Sequence, residues 1–270
     1  RDTTDHRARS PSQVRMIANE AGKGLRLVWA YRATLPPLLL GLLVTYLVFQ
    51  YFVGGGAILE DLVADTAPAM FAYVATYVAV MRMVAGILEE RNAGTLEQIH
   101  LSPLHPWQLA VGRLAAAMTE AVLAAAVVTA IVLVGWHVDY PASWQALVPF
   151  GLLLSGIAGF ALLLAAVSFT YPGIGALVHI VDMTILAVNG TIVPTELFPH
   201  RLELIAKLAP TTLGIGALRR ILVDGDSLAD LWGTGALGWL VLHTVLSAAA
   251  GWAAYQWQTG RARRDGRLGP

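Results

Sequence analysis

The chain is 270 residues long, 56% hydrophobic and 13% charged, and its 18 basic and 18 acidic residues balance. Soluble globular domains carry about 25% charged residues, so this composition excludes an ordinary water-soluble domain; zero net charge argues neither for nor against nucleic acid, and no nucleic-acid partner is expected. Cysteine is absent, which removes disulfides, thiolate nucleophiles and Cys-ligated metals.

Arg1 to Ser10 reads as a polar lead, too polar for a secretory signal. Arg1 is not a start methionine, so the natural N-terminus is expected upstream. Ser10-Pro11 is suited to cap a helix whose first turn holds the proline. From there Val14, Ile17, Ala18, Ala21, Leu25 and Val28 form an apolar stripe, with Arg15, Asn19, Lys23 and Arg26 on the other face. A basic amphipathic helix just before a span is expected to lie in the membrane interface. A soluble helix packed on a partner is the alternative. The stretch 1–32 is thus a cytoplasmic lead with an interfacial helix.

An all-α membrane domain follows over 33–257. Spans need roughly 20 apolar residues, and six are expected at about 33–53, 66–88, 106–134, 145–169, 173–193 and 235–257. Tail residues 258–270 are basic. Seven of the 18 basic residues lie in the N-terminal segment through Arg32; Arg91 and Arg113 flank the second loop, and Arg261, Arg263, Arg264 and Arg267 sit in the tail. The positive-inside rule places all of these on the cytoplasmic side, both termini included, which requires an even number of spans. The acidic loop with Glu60, Asp61 and Asp65 then faces outward.

The stretch of about 194–230 is too long and apolar for a plain loop, yet its apolar runs are too short to span. Leu202, Ile205, Ala206 and Ala209 form one helical stripe; Leu213, Ala217, Leu218, Ile221 and Leu222 form another. Pro210 and Gly214 are expected to break the chain between them. The reading is a re-entrant helical hairpin at the outer leaflet.

Within the spans, ionisable groups cost about 2.5–3.5 kcal/mol at mid-membrane and ask for a partner or a role. Counting from Glu89 and from Arg113 puts Arg82 and Glu120 at similar depth, roughly 10 Å in. An Arg82–Glu120 ion pair between the second and third spans is one reading; an Arg82 that snorkels is the other. Asp182 falls mid-way along the fifth span, with His179 one turn before it and Asn189 on the same face. This polar stripe suits a translocation route, a dimer seam or a packing contact. Gly151, Ser155 and Gly159 form a small-residue stripe for close helix approach. Trp29, Tyr31, Trp136, Tyr140 and Trp144 read as an aromatic belt.

Between the second and third spans lies the charged, turn-rich run Glu90-Arg91-Asn92-Ala93-Gly94-Thr95-Leu96-Glu97-Gln98-Ile99-His100-Leu101-Ser102-Pro103. Leu96 and Ile99 are apolar knobs, and Glu89, Glu90, Arg91 and Glu97 supply flanking charge, a pattern fit for seating on a soluble partner. Arg91, Gly94, Thr95, Leu96, Glu97 and Pro103, followed by Arg113, resemble the cytoplasmic-loop signature of type-2 ATP-binding-cassette exporter permeases. Pro199, then Leu208-Ala209-Pro210-Thr211-Thr212 and Arg219, is similar to that family's outer hairpin. The resemblance implies a six-span permease that pairs with a second copy, identical or a paralogue, in the cell inner membrane. It also implies docking on ABC ATPase subunits through a coupling helix at about 92–103, with span two running directly into that helix as a rigid link.

Gly22-Lys23-Gly24 lacks the spacing and hydroxyl of a phosphate-cradling loop. ATP and magnesium are therefore expected on the partner ATPase, with no cofactor on this chain. The histidines form no His-Glu-x-x-His pair, so metal-dependent proteolysis is unsupported. Drugs, antibiotics or lipids are the expected cargo. The rivals are an ion-coupled secondary transporter using Asp182 and an intramembrane enzyme, the latter without a convincing nucleophile, base or metal set.

Overall fold

The computed structural model describes residues 22, 26, 33, 35–94, 106–171 and 173–264, the side chains of Pro106, Glu196, Ala262 and Arg263 aside. Most of the interfacial helix at 14–28 and most of the coupling segment therefore lie outside the described residues. Those described are helical: α1 (Leu35–Val53), α2 (Glu60–Asn92), α3 (Pro106–Gly135), α4 (Leu147–Ser168), α5 (Ile174–Val188), α6 (His200–Ala206), α7 (Thr212–Leu222), α8 (Leu228–Gly233) and α9 (Ala236–Arg264), with 3₁₀ turns at Trp144–Ala146 and Thr195–Leu197.

Five segments, Leu35–Val53, Glu60–Asn92, Trp107–Gly135, Trp144–Ser168 and Ala236–Arg261, are long and apolar enough to cross a bilayer. The expected fifth span appears as α5, apolar but only 15 residues long, roughly 22 Å at 1.5 Å per residue. Asn189 ends it, and the chain turns through Gly190 at φ +90°.

The centre of the bundle is α2, which is buried on all sides through its middle, from Thr66 to Val80, with Val63, Met83 and Ile87 buried towards its ends. It packs against α3 and α4 most extensively, and also against α1, α5 and α7. Glu60 and Asp61 sit in its first turn and Arg91 in its last, each matching the helix dipole. Pro68 lies inside α2 and denies its backbone a donor. The carbonyl of Ala64, four residues earlier, instead accepts the Tyr140 hydroxyl at 2.5 Å. One of the expected belt aromatics therefore repairs a helix and pins the α3–α4 connection to α2.

Apolar helices gain little from leaving lipid tails for one another, so they associate through close packing and small residues. The α4–α9 pair shows how. A Cβ on Gly159 would lie 2.6 Å from the Ser247 carbonyl oxygen and 2.7 Å from the Ala248 Cα, and a Cβ on Gly251 would strike the Gly159 carbonyl. Of the expected stripe Gly151, Ser155 and Gly159, the last makes the crossing. Gly151 has open space around it, and Ser155 bonds back to the Gly151 carbonyl.

Two further details differ from the sequence reading. Gly214 does not break the chain: it lies within α7, where a Cβ would come 2.9 Å from that of Leu153. A missing side chain serves close approach there, and the break falls at residues 207–211, which hold Pro210. The α2 helix does not run on as one rod into the coupling segment. It stops at Asn92, and Gly94 turns left-handed at φ +66° with its amide bonded to the Arg91 carbonyl at 3.0 Å, the glycine stop expected at a helix C-terminus.

Candidate functional site

Three polar clusters interrupt the apolar bundle. The first lines the α2–α3 seam. Arg82 on α2 donates to Glu120 Oε1 on α3 through Nε at 2.8 Å and Nη2 at 2.5 Å. The Glu120 side chain is 3% exposed and that of Arg82 34%, so the acid is the committed partner. Eight residues further along α2, Glu90 accepts from Arg113 of α3. Arg113 also hydrogen-bonds Tyr255 of α9, whose ring packs edge-on against Phe169 at the end of α4. The antiparallel pair is thus tied at two levels, and its lower tie reaches the α4–α9 pair.

Both ends of the expected coupling segment therefore stand on an ion-paired base. Glu90 and Arg91 occupy the last turn of α2 and Gly94 its stop. Thr95, Leu96, Glu97, Ile99 and Pro103 lie outside the described residues.

The second cluster sits between α1, α2 and the turn after α5. Thr66 Oγ1 spends its proton on the Leu62 carbonyl at 2.7 Å, so it accepts from Tyr46 at 2.8 Å and from Gln50 Nε2 at 3.2 Å. Gln50 Nε2 also reaches the Thr191 carbonyl at 3.2 Å. Asn189 Oδ1 accepts from the Thr191 amide at 3.0 Å and hydroxyl at 2.7 Å. Irregular backbone at membrane depth is tolerated only where protein or enclosed water satisfies it, and these bonds do that for the amide and carbonyl of Thr191, while the Asn189 amide bonds the Ile185 carbonyl at 2.9 Å.

The third cluster is Asp182. It is buried on α5 and accepts the Tyr73 hydroxyl of α2 at 3.1 Å. His179, on the same helix, points to the exposed side. His179 still acts electrostatically on Asp182, whereas Asn189 belongs to the second cluster, so the structure divides the expected stripe between the two. A narrow cleft of about 10 Å³, the room of one water, opens beside Asp182 among Thr76, Tyr77, Phe160, Val178 and Ile185. Sequence reading missed Tyr73 and Tyr77, whose only signal was a pair of tyrosines one turn apart on the α2 face opposite α5.

Outside the spans, the hairpin residues are placed as follows. Pro199 precedes α6 at φ −55°, the carbonyl oxygen of Pro210 lies where a Cβ on Gly156 would meet it at 3.1 Å, and Arg219 is in the last turn of α7. Arg220 pairs with Asp226 at 2.7 Å. Ser227 and Asp230 form a reciprocal cap on α8, and the Ser227 hydroxyl and amide hold the Asp230 carboxyl below its ordinary range. Burial, then Tyr46 and Asp65, raises the Tyr140 hydroxyl. Among the described residues, no cluster of three His, Asp or Glu is placed to hold a metal.

Long apolar helices around buried ion pairs define a multi-pass integral membrane protein. A family model described as ABC-2 family transporter protein matches residues 39–253, well over half of the chain, and the chain belongs to that family. It is also 27% identical over 190 residues to the probable multidrug ABC transporter permease YbhR of Escherichia coli K12. The same identity holds for the YbhR of Escherichia coli O157:H7. The match takes in 70% of this chain and 50% of the relative, so the chain spans about half the length of the curated relatives it matches.

Proposed function

We propose that this chain is the membrane subunit of an ATP-driven exporter, moving a drug-like, antibiotic or lipid-like molecule out across the inner membrane. The family match over residues 39–253 carries the reading, and the permease name of its relative supports it. ATP and magnesium belong to separate ABC ATPase subunits. Two permease copies pair across the membrane, each with six spans and both termini in the cytoplasm. The short α5 counts as the fifth span, with the hydrogen-bonded turn at 189–191 filling the remaining depth.

Work enters at the coupling segment of about 92–103, whose base is the Glu90–Arg113 pair. Because α2 ends at Asn92, the thrust passes from the segment into both feet of the α2–α3 pair rather than down one continuous rod. The ties at Arg113 and Glu120 move the two helices together, and Tyr255 passes the displacement to α9. The stretch of about 194–230 forms the outer gate. Leu96 and Glu97 are the residues on which docking depends.

Co-purification tests this. The permease, expressed with the ABC ATPase encoded beside it, is expected to retain that ATPase through detergent extraction and to lose it on Leu96→Ala with Glu97→Ala. Retention of the ATPase by the double variant would remove the coupling role. Transport that continues without any ATPase and collapses with the proton gradient would favour an ion-driven carrier.

A further inference from the structure

Asp182 stands apart from the other intramembrane charges. Glu120 meets Arg82 and Glu90 meets Arg113, but the hydrogen bond on Asp182 comes from the neutral Tyr73 hydroxyl. Among the described residues no Lys or Arg is ion-paired with it; the one basic neighbour acting on it there is the exposed His179, one turn away on α5. An intramembrane carboxylate without a Lys or Arg partner is costly, and such residues mark functional sites by default. The cleft beside it is bounded by the rings of Tyr77 and Phe160, and Tyr73 lies 6.4 Å from Tyr77, centroid to centroid. A carboxylate among aromatic faces is the recognition chemistry of organic ammonium-type cations.

A hard metal ion is a poor fit. Such ions take about six or more oxygen ligands, whereas this cleft offers Asp182, Tyr77 and a Thr76 hydroxyl already committed to the Ala72 carbonyl at 2.7 Å. The remaining walls are Val80, Leu164, Val178, Val181 and Ile185.

From this geometry we infer that Asp182, with Tyr73, Tyr77 and Phe160, forms the binding site for the charged head of a lipophilic organic cation. The cargo of the exporter is therefore cationic. At about 10 Å³ the cleft is closed to such a head, so α5 must draw away from α2 to admit it. The outer face of α5, with Leu177, Ile180 and Met183, is exposed among the described residues, which leaves room for this. The inference rests on the exporter reading only for the origin of the ligand, because binding is measured here without ATP or ATPase.

The test is equilibrium dialysis of tetraphenylphosphonium against the purified full chain in detergent, with triphenylphosphine oxide as the neutral control. Asp182→Asn is expected to weaken phosphonium binding at least tenfold and to leave the phosphine oxide unchanged, with Asp182→Glu recovering most of the loss. Equal phosphonium binding by wild type and Asp182→Asn would overturn the site, as would parallel loss of the neutral control. Displacement by sodium would make it an inorganic ion site instead. A second measurement needs no variant: carbodiimide labelling of Asp182, mapped by mass spectrometry, is expected to be blocked by tetraphenylphosphonium. Unblocked labelling at saturating phosphonium would also overturn the inference. A cation that binds while the ATPase fails to co-purify would sink the exporter reading and leave this site standing.

Discussion

Along the α2–α3 seam Arg82 answers Glu120 and Arg113 answers Glu90, whereas on α5 Asp182 meets a tyrosine. The first arrangement suits a part that must move as one body: paired charges are expensive to separate in a bilayer, so they fix the register of two long helices. The second suits a part that changes partners. A short helix with an exposed outer face and a carboxylate without a Lys or Arg partner among the described residues has less to lose by shifting. On the inference above, the α2–α3 seam carries stability, and the α5 side of α2 carries binding.

The largest expected effect breaks the paired side. Arg82→Leu strands the buried Glu120 and is expected to cost about 3–5 kcal/mol. Glu120→Leu costs less, because the partly exposed Arg82 can carry its head to the surface. Thermal melts in detergent should then find the double variant more stable than Arg82→Leu alone. A double variant no better than the worse single would show that the two residues do not act as a pair.

Next in size is Tyr140→Phe, which leaves the Ala64 carbonyl opened by Pro68 without its donor. A loss of about 1–3 kcal/mol is expected from one unsatisfied buried acceptor, read as a lower melting temperature. No change would mean that the loop hydroxyl does not support α2.

On the other side of the comparison, Asp182→Asn keeps an acceptor for Tyr73 and should leave stability within about 1 kcal/mol. A loss as large as that of Arg82→Leu would make Asp182 a structural residue and erase the contrast between the helices.

The smallest effect lies outside the spans. The Asp230 carboxyl is held below its ordinary 3.8 by Ser227. A depressed carboxyl contributes stability that is full above its unfolded value and is lost as pH falls through its folded value. Hydrogen exchange at the α8 amides is therefore expected to accelerate as pH drops below 3.8, beyond the intrinsic pH dependence of exchange. Ser227→Ala should remove most of that difference; an unchanged profile would mean the cap does not hold α8.

What was legible in the sequence follows from which interactions are local. Hydropathy over about 20 residues is a local property, and the long spans stand close to where it puts them. The Arg82–Glu120 contact was legible because both residues could be counted inward from surface charges in helices of known rise. Residues 189–193 carry no charge and end on Ile192 and Val193, so hydropathy extends the fifth span through them, and the bonds among Gln50, Asn189 and Thr191 show why the helix ends at Val188. Tyr73 and Asp182 are 109 residues apart, and no periodicity within α2 marks which turn meets α5. Pro68 did leave a usable signal: a proline within a span exposes the carbonyl four residues before it, and the nearest belt tyrosine supplies the donor.

The coupling segment is the hinge of the account, and the absence of cysteine makes it directly testable. A single thiol introduced by Gln98→Cys can be probed with a membrane-impermeant maleimide in intact cells and in inverted membrane vesicles. The account predicts no labelling from outside, labelling in inverted vesicles stripped of the ATPase, and protection when the ATPase is bound. Labelling in intact cells, or equal labelling with and without bound ATPase, would contradict it.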